Sequence, residues 1–174
     1  MPRSQAAAIA ILSFWIGLNL FVWFAATRTF STVARILKSP DPRFRKIVEQ
    51  LGAEPTREVL RYSASEINRR YFRAYGWTEI LLGVILLALL WRQTPRDTVA
   101  VAMVAGMLAL VAALTLVVTP WMTSLGRTLD FAPRTPAPPQ MRRFWMLHGA
   151  FTSLDAVKLL AGIALLIRWI VAGW

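Results

Sequence analysis

Four stretches of the chain are apolar for longer than a soluble helix needs, and the polar residues between them are crowded with arginine. A helix needs roughly 20 apolar residues to cross the hydrocarbon core of a bilayer, with about 17 as the lower limit. The pattern predicts spans over residues 6–27, 75–91, 98–119 and 144–172, with loops at 28–74 and 120–143 between them. The expected fold class is all-α, a single membrane domain over residues 1–174 built as a bundle of four transmembrane helices. Arg3 before the first apolar run resembles the start of a leader. The run is too long and bulky for one, and no small-residue cleavage site follows, so it is read as a retained span.

The longer loop has structure of its own. Pro40-Asp41-Pro42 breaks any extension of the first helix, and Gly52 with Pro55 marks a second break. From Thr56 to Tyr75 there is one further helical run, with Val59, Leu60, Ile67, Tyr71 and Phe72 near one face and Arg57, Glu58, Arg61, Arg69 and Arg73 elsewhere. This is a basic amphipathic helix at the cytoplasmic surface or running straight into the second span, read as a membrane-surface anchor in preference to a partner-binding helix. The segment from Pro133 to Pro139 predicts a stiff, extended connector.

Charge turns this pattern into an orientation. The formal net charge is +11, from 20 Lys and Arg against 9 Asp and Glu, although 56% of the residues are hydrophobic and the mean hydropathy is +0.49. Eleven of the cations lie between the first and second spans, and Arg127, Arg134, Arg142 and Arg143 lie between the third and fourth. The opposite side has Arg3, Arg92, Arg96 and Arg168. Short loops rich in Lys and Arg stay in the cytoplasm, so both termini are expected on the non-cytoplasmic side of a plasma or inner membrane. The basic loops then face the anionic inner leaflet. Nucleic acid is excluded as a partner, because no soluble segment is long enough to be a binding domain. Trp23, Trp77, Trp121 and Trp145 are expected at the inner interface and Trp91, Trp169 and Trp174 at the outer one, with Trp15 left inside the first span.

The spans themselves carry few groups that lipid would reject. The first and third hold no ionisable residue between their ends, and Ala102, Ala105, Gly106, Ala109 and Ala113 give the third a small-residue face for close helix packing. In the fourth, His148, Thr152 and Asp155 share a face, and Lys158 stands at its edge. Counted from Phe144 at about 1.5 Å per residue, Asp155 lies about 16 Å deep and Lys158 about 21 Å. An unpaired charge there costs at least about 2.5–3.5 kcal/mol, so partners are required. Glu79 falls at the depth of His148 when both are counted from the inner interface, and Asn19 falls near that of Asp155. The expected site is a polar seam of Asn19, Glu79, His148, Asp155 and Lys158.

Three functions compete for this seam. Interhelical glue in a structural or accessory subunit, packed in a larger membrane complex or with copies of itself, leads. A small transporter or an ion- or proton-coupled permease is the alternative. The third is a haem- or chlorin-binding subunit with His148 as axial ligand, which an absorbance spectrum free of cofactor bands would dispose of. No cofactor is expected under the leading reading. No metal site is expected either, since the chain has one His and no Cys, and Met103 and Met107 are read as packing. An enzyme is not expected: there is no H-E-x-x-H, no P-loop, no Gly-rich dinucleotide turn, and Ser153 faces away from His148.

With the spans placed, Trp15-Ile16-Gly17 with Phe21, Phe24 and Phe30, the run from Glu66 to Phe72, Thr119-Pro120 with Leu125 and Arg127, and Phe144 with Leu147-His148 form a recognisable series. It resembles a family of small four-helix membrane proteins of unknown function that includes transmembrane protein 205 of animals. The resemblance spans nearly the whole chain and implies a four-helix topology. For function it implies little, since the animal member is linked to drug resistance and proposed to take part in export. Asp155 stands where that pattern has asparagine, and Thr27-Arg28 where it commonly has proline. The W-x-G opening is also similar to the membrane part of copper-resistance proteins, whose ligands this sequence lacks.

Overall fold

Helix boundaries follow the local breakers rather than the ends of the apolar runs. The computed structural model describes residues 3–133 and 136–171, so Arg134, Ala172 and Trp174 lie outside the described residues. Helix α1 (Arg3–Leu37) continues ten residues beyond the expected span, because nothing interrupts it before Pro40. Pro40 disfavours helical backbone in the residue before it. The chain restarts at once in α2 (Pro42–Leu51), where Asp41 caps the new helix by accepting from the backbone N–H groups of Arg43 (2.8 Å) and Phe44 (3.2 Å). Pro42 occupies the first turn, where its missing N–H costs nothing. Gly52, at φ +89°, takes the left-handed turn that ends α2 and opens α3 (Ala53–Trp91).

The stretch expected as a loop over residues 28–74 is therefore mostly helical, made of the end of α1, all of α2 and the first half of α3. The run from Thr56 to Tyr75 is continuous with the second apolar stretch in one helix of 39 residues. Asp97 caps α4 (Thr98–Ala113) through Ala100 N–H at 3.1 Å. A π-helical turn at Leu114–Val118 joins α4 to α5 (Thr119–Thr128) without a bend into a loop. Pro120 explains the wide turn: its ring would clash with the carbonyl four residues earlier in a regular helix, and it has no N–H to give that carbonyl. The expected loop 120–143 thus shrinks to the few residues before α6 (Pro139–Val171).

Helices α1, α3, α4 and α6 close a ring in which each packs along its two neighbours, while the diagonal α3 and α6 meet through long side chains. Three helical stretches, 4–37, 53–91 and 98–128, are long and apolar enough to cross a membrane. The core is made by Leu12 and Trp15 of α1, Leu86 and Leu90 of α3, Val104, Met107 and Val111 of α4, and Leu165 and Trp169 of α6. Two glycines let helices approach: a Cβ on Gly76 would sit 2.4 Å from Thr115 Oγ1, and one on Gly83 would sit 2.9 Å from Leu108 Cδ1. On α4 the small-residue face Ala102, Ala105, Gly106, Ala109 and Ala113 points out of the bundle. The opposite face, with the larger Val104, Met107 and Val111, is the buried one.

Two of the tryptophans face into the bundle. Trp169 is buried in the core, and Trp23 turns inward to the carboxylate of Asp155. Trp77, Trp91, Trp121 and Trp145 are exposed on the outside of the bundle.

Candidate functional site

Three helices each bring polar groups to one level of the bundle. On α1, Trp15, Asn19 and Trp23 recur every four residues and share a face; on α3, Tyr75 and Glu79 do the same; on α6, Asp155 and Lys158 are three apart. Lys158 Nζ donates to Asp155 Oδ1 at 2.6 Å, to Tyr75 Oη at 2.9 Å, and to Glu79 Oε1. It also lies 5.0 Å from the centre of the Tyr75 ring. Tyr75 Oη donates toward Asp155, 3.2 Å from Oδ1. Asn19 Nδ2 donates to Asp155 Oδ2 at 3.0 Å and to Tyr75 Oη. Indole N–H groups close the two ends, from Trp15 to Glu79 Oε1 at 2.7 Å and from Trp23 to Asp155 Oδ2 at 2.6 Å.

No member of the quartet Asn19, Glu79, Asp155 and Lys158 is more than 2% exposed. Buried charges persist only where pairing and hydrogen bonds replace water, and here nearly every polar atom is engaged. Asn19 Oδ1 is buried without a partner among the described residues, and the bonds from Trp15 and Lys158 to Glu79 both fall on Oε1. Long side chains join the diagonal pair: the α3 and α6 backbones stay apart, yet Lys158 reaches Glu79 and Tyr75 across the bundle axis and Phe72 meets Phe151 edge-on at 5.6 Å. In formal charge, two carboxylates face one ammonium.

Four of the five expected seam residues meet in this cluster, and His148 does not. Glu79 is level with Lys158, two to three turns from His148, so the depth assigned to Glu79 from the start of its apolar run was too shallow. His148 instead stacks on Phe144 (6.1 Å between centroids, 8° between planes) and meets Trp145 edge-on at 5.6 Å. It faces a cavity of about 680 Å³ enclosed by the end of α1, the first half of α3, α5 and the start of α6. None of the cluster residues lines that cavity. As for a cofactor, His148 is the single histidine of the chain. Among the described residues no three His, Cys, Asp or Glu side chains gather where a metal could be held.

Sequence reasoning missed Tyr75, Trp15 and Trp23 as members of the cluster. The four-residue spacing of Trp15, Asn19 and Trp23 was the available signal. It also missed two ion pairs that tie the ends of the bundle. At the basic end, Arg69 of α3 holds Asp130 through two bonds (2.9 and 2.7 Å) and Glu66 through one of 2.6 Å. The Arg69 hydrogen bond holds the Glu66 carboxyl below its usual range. Burial works against the Arg69 charge, but its bonds to Asp130 and Glu66 outweigh that and keep the guanidinium more firmly protonated than usual. At the other end, Arg168 of α6 grips Asp97 at 2.5 and 3.1 Å, which lowers the carboxyl of the residue that caps α4.

A family model described as Domain of unknown function (DUF4149) matches residues 10–128. The match runs from α1 to the end of α5, so it includes Trp15, Asn19, Tyr75 and Glu79 and stops before Asp155 and Lys158. No curated protein and no solved structure matches the chain.

Proposed function

The chain belongs to the DUF4149 family of domains of unknown function, and from that premise we propose that it is a four-span membrane protein with a structural or accessory role. The observation that carries the role is the closure of the polar cluster. Its charged groups, on α3 and α6, are spent on one another and on neutral donors of α1, at 0–2% exposure, and the nearby cavity does not reach them. A reaction site or a permeation path needs an opening for its substrate. A pin that fixes the register of helices needs the opposite.

Counting α6 as the fourth span is supported by the way its charges are disposed. Asp155 and Lys158 are buried in the cluster and Arg168 is paired with Asp97. Val157, Leu160, Ile167 and Ile170 face outward and are apolar. The arginine bias supports the basic end as the cytoplasmic one, with both termini across the membrane. The exposed Val59, Ile67 and Tyr71 on the first half of α3 support the surface-anchor reading of that segment. The outward Ala102, Ala105, Gly106, Ala109 and Ala113 supply the packing face for a further helix, from another subunit or a second copy.

The chain contains no cysteine, so Ala105→Cys gives a single thiol for cross-linking in native membranes. The accessory reading expects a specific cross-linked species from A105C, none from a control thiol at Leu160 on α6, and a native particle heavier than one chain. A monomeric particle without cross-links sinks it.

A second reading, proton-coupled transport, is favoured by one observation: two carboxylates and one ammonium are neutral only with one additional proton. It requires that the double variant D155N/K158M abolish transport in vesicles while the protein stays folded. A folded variant with unchanged flux leaves the cluster as glue.

A further inference from the structure

Lys158 spends three N–H groups, on Asp155, Tyr75 and Glu79, which is the full set of an ammonium. One positive charge therefore faces two carboxyl groups, and none of the three residues is more than 2% exposed. The surrounding helices bring no further charge to this level. Helix α1 has no titratable side chain from Ser4 to Thr27, and α4 with the segment after it has none from Thr98 to Gly126. On α3 the nearest titratable groups before Glu79 are Tyr75, a member of the cluster, and Arg73, which is exposed. On α6, His148 lines the cavity and Arg168 holds Asp97. A buried carboxyl without a counter-charge takes up a proton in preference to staying ionised.

The two carboxyl groups are not equivalent. Asp155 takes two hydrogens on each oxygen, from Lys158 and Tyr75 on Oδ1 and from Asn19 and Trp23 on Oδ2. Donors in that number favour the ionised form, and a proton on either oxygen would have to push one of them aside. At Glu79 the bonds from Trp15 and Lys158 both fall on Oε1. A proton on Oε2 displaces neither, and it leaves Oε1 as a carbonyl that accepts both. The cluster also has an acceptor to spare for one more hydrogen, since Asn19 Oδ1 is buried and without a partner among the described residues. A metal cation fits less well: it needs several oxygens at once, and those of Asp155 are turned to N–H and O–H donors.

We propose that Glu79 is a resident proton site: in the folded chain its carboxyl carries one proton, and Asp155 and Lys158 remain as the charged pair. The proposal rests on the geometry of the cluster and on neither role argued above; under the transport reading it names the group that takes up and releases the proton. Charge balance sets whether the proton stays. With Asp155 made neutral, Glu79 becomes the counter-ion of Lys158 and gives its proton up.

The test is the infrared spectrum of the full chain at neutral pH, in a detergent without ester groups, because a protonated carboxyl has a C=O band apart from that of carboxylates. A band worth one protonated carboxyl per chain is expected. It should move to lower frequency when the protein is made with glutamate carrying carbon-13 in its side-chain carboxyl, and stay in place when aspartate is labelled in the same way. E79Q should lose the band, and so should D155N, where Glu79 ionises opposite Lys158. Absence of the band from wild type overturns the proposal, as does a band that follows labelled aspartate or one that survives in E79Q or D155N. The isotope assignment is made on the wild-type chain, so it decides the matter even where a variant fails to fold. It also reads the proton whether or not flux or cross-linking at A105C is found.

Discussion

Replacing Lys158 by methionine removes the only cation from a cluster that also holds Glu79 and Asp155. Three hydrogen bonds are lost at once, to Tyr75, Glu79 and Asp155. Two carboxylates are then left with no counter-charge in a site whose members are 0–2% exposed. Breaking a buried pair by removing one partner costs about 3–5 kcal/mol, a large part of the roughly 5–15 kcal/mol that holds a typical domain together. Asp155→Asn leaves one carboxylate and one ammonium, a balanced pair, but its amide NH2 must replace an oxygen that accepts either from Asn19 and Trp23 or from Lys158 and Tyr75, so it should cost about 1–3 kcal/mol, less than K158M. The triple variant E79Q/D155N/K158M, neutral and similar in shape, should recover most of the loss. The assay is the folded fraction in detergent micelles titrated with sodium dodecyl sulfate, followed by tryptophan fluorescence. A K158M midpoint equal to wild type, or a triple variant no better than K158M, refutes the reasoning.

Other contacts give further expected outcomes. Gly76→Ala would drive a Cβ to 2.4 Å from the stiff Thr115 side chain and should cost about 1–3 kcal/mol in thermal unfolding. Gly106→Ala, with nothing within 4 Å of the added carbon, should leave the monomer's stability within about 0.5 kcal/mol. Asp97 is lowered chiefly by Arg168, so its pairing stabilises the fold above the ordinary carboxylate range and is lost as pH falls through and below that range. Thermal midpoints on acidification should therefore fall further in wild type than in R168Q, and parallel curves would count against the pairing. Arg69→Met strands Asp130, whose side chain is 8% exposed, and should lower the thermal midpoint more than the loss of the exposed Arg57–Glu54 pair does.

Helix positions were legible because apolar runs are long, but their ends were not. The runs report the thickness of hydrocarbon, whereas α3 spans 39 residues, about 58 Å, and stops only at its caps. Which face turns inward was harder still. In a helix apolar all round, periodicity has little contrast, so the sequence marks a small-residue face on α4 for close packing without saying whether it turns inward; Val104, Met107 and Val111 are the residues that face the core. The charged members Asp155, Lys158 and Glu79 were legible since lipid tolerates no unpaired charge. Tyr75 and Trp23 were not, because a phenol or an indole is equally at home at an interface. His148 was misassigned by counting depth from the edge of an apolar run.

The π-helical turn at Leu114–Val118 changes the phase of the helix beyond it. Along α4 the inward positions are 100, 104, 107, 111 and 114. In an uninterrupted α-helix the series would continue to 118, 121 and 125, carrying the Trp121 indole into the space between α3 and α6. One extra residue in the wide turn rotates α5 by about 100°, so the series resumes at Thr119, Met122, Gly126 and Leu129. Trp121 is thrown outward, 63% exposed, and Gly126 comes within 3.3 Å, measured from a notional Cβ, of Arg69. The cavity is thus the volume left by an angular slip of a single residue. A chain shortened by one residue within the turn would close it with its own tryptophan.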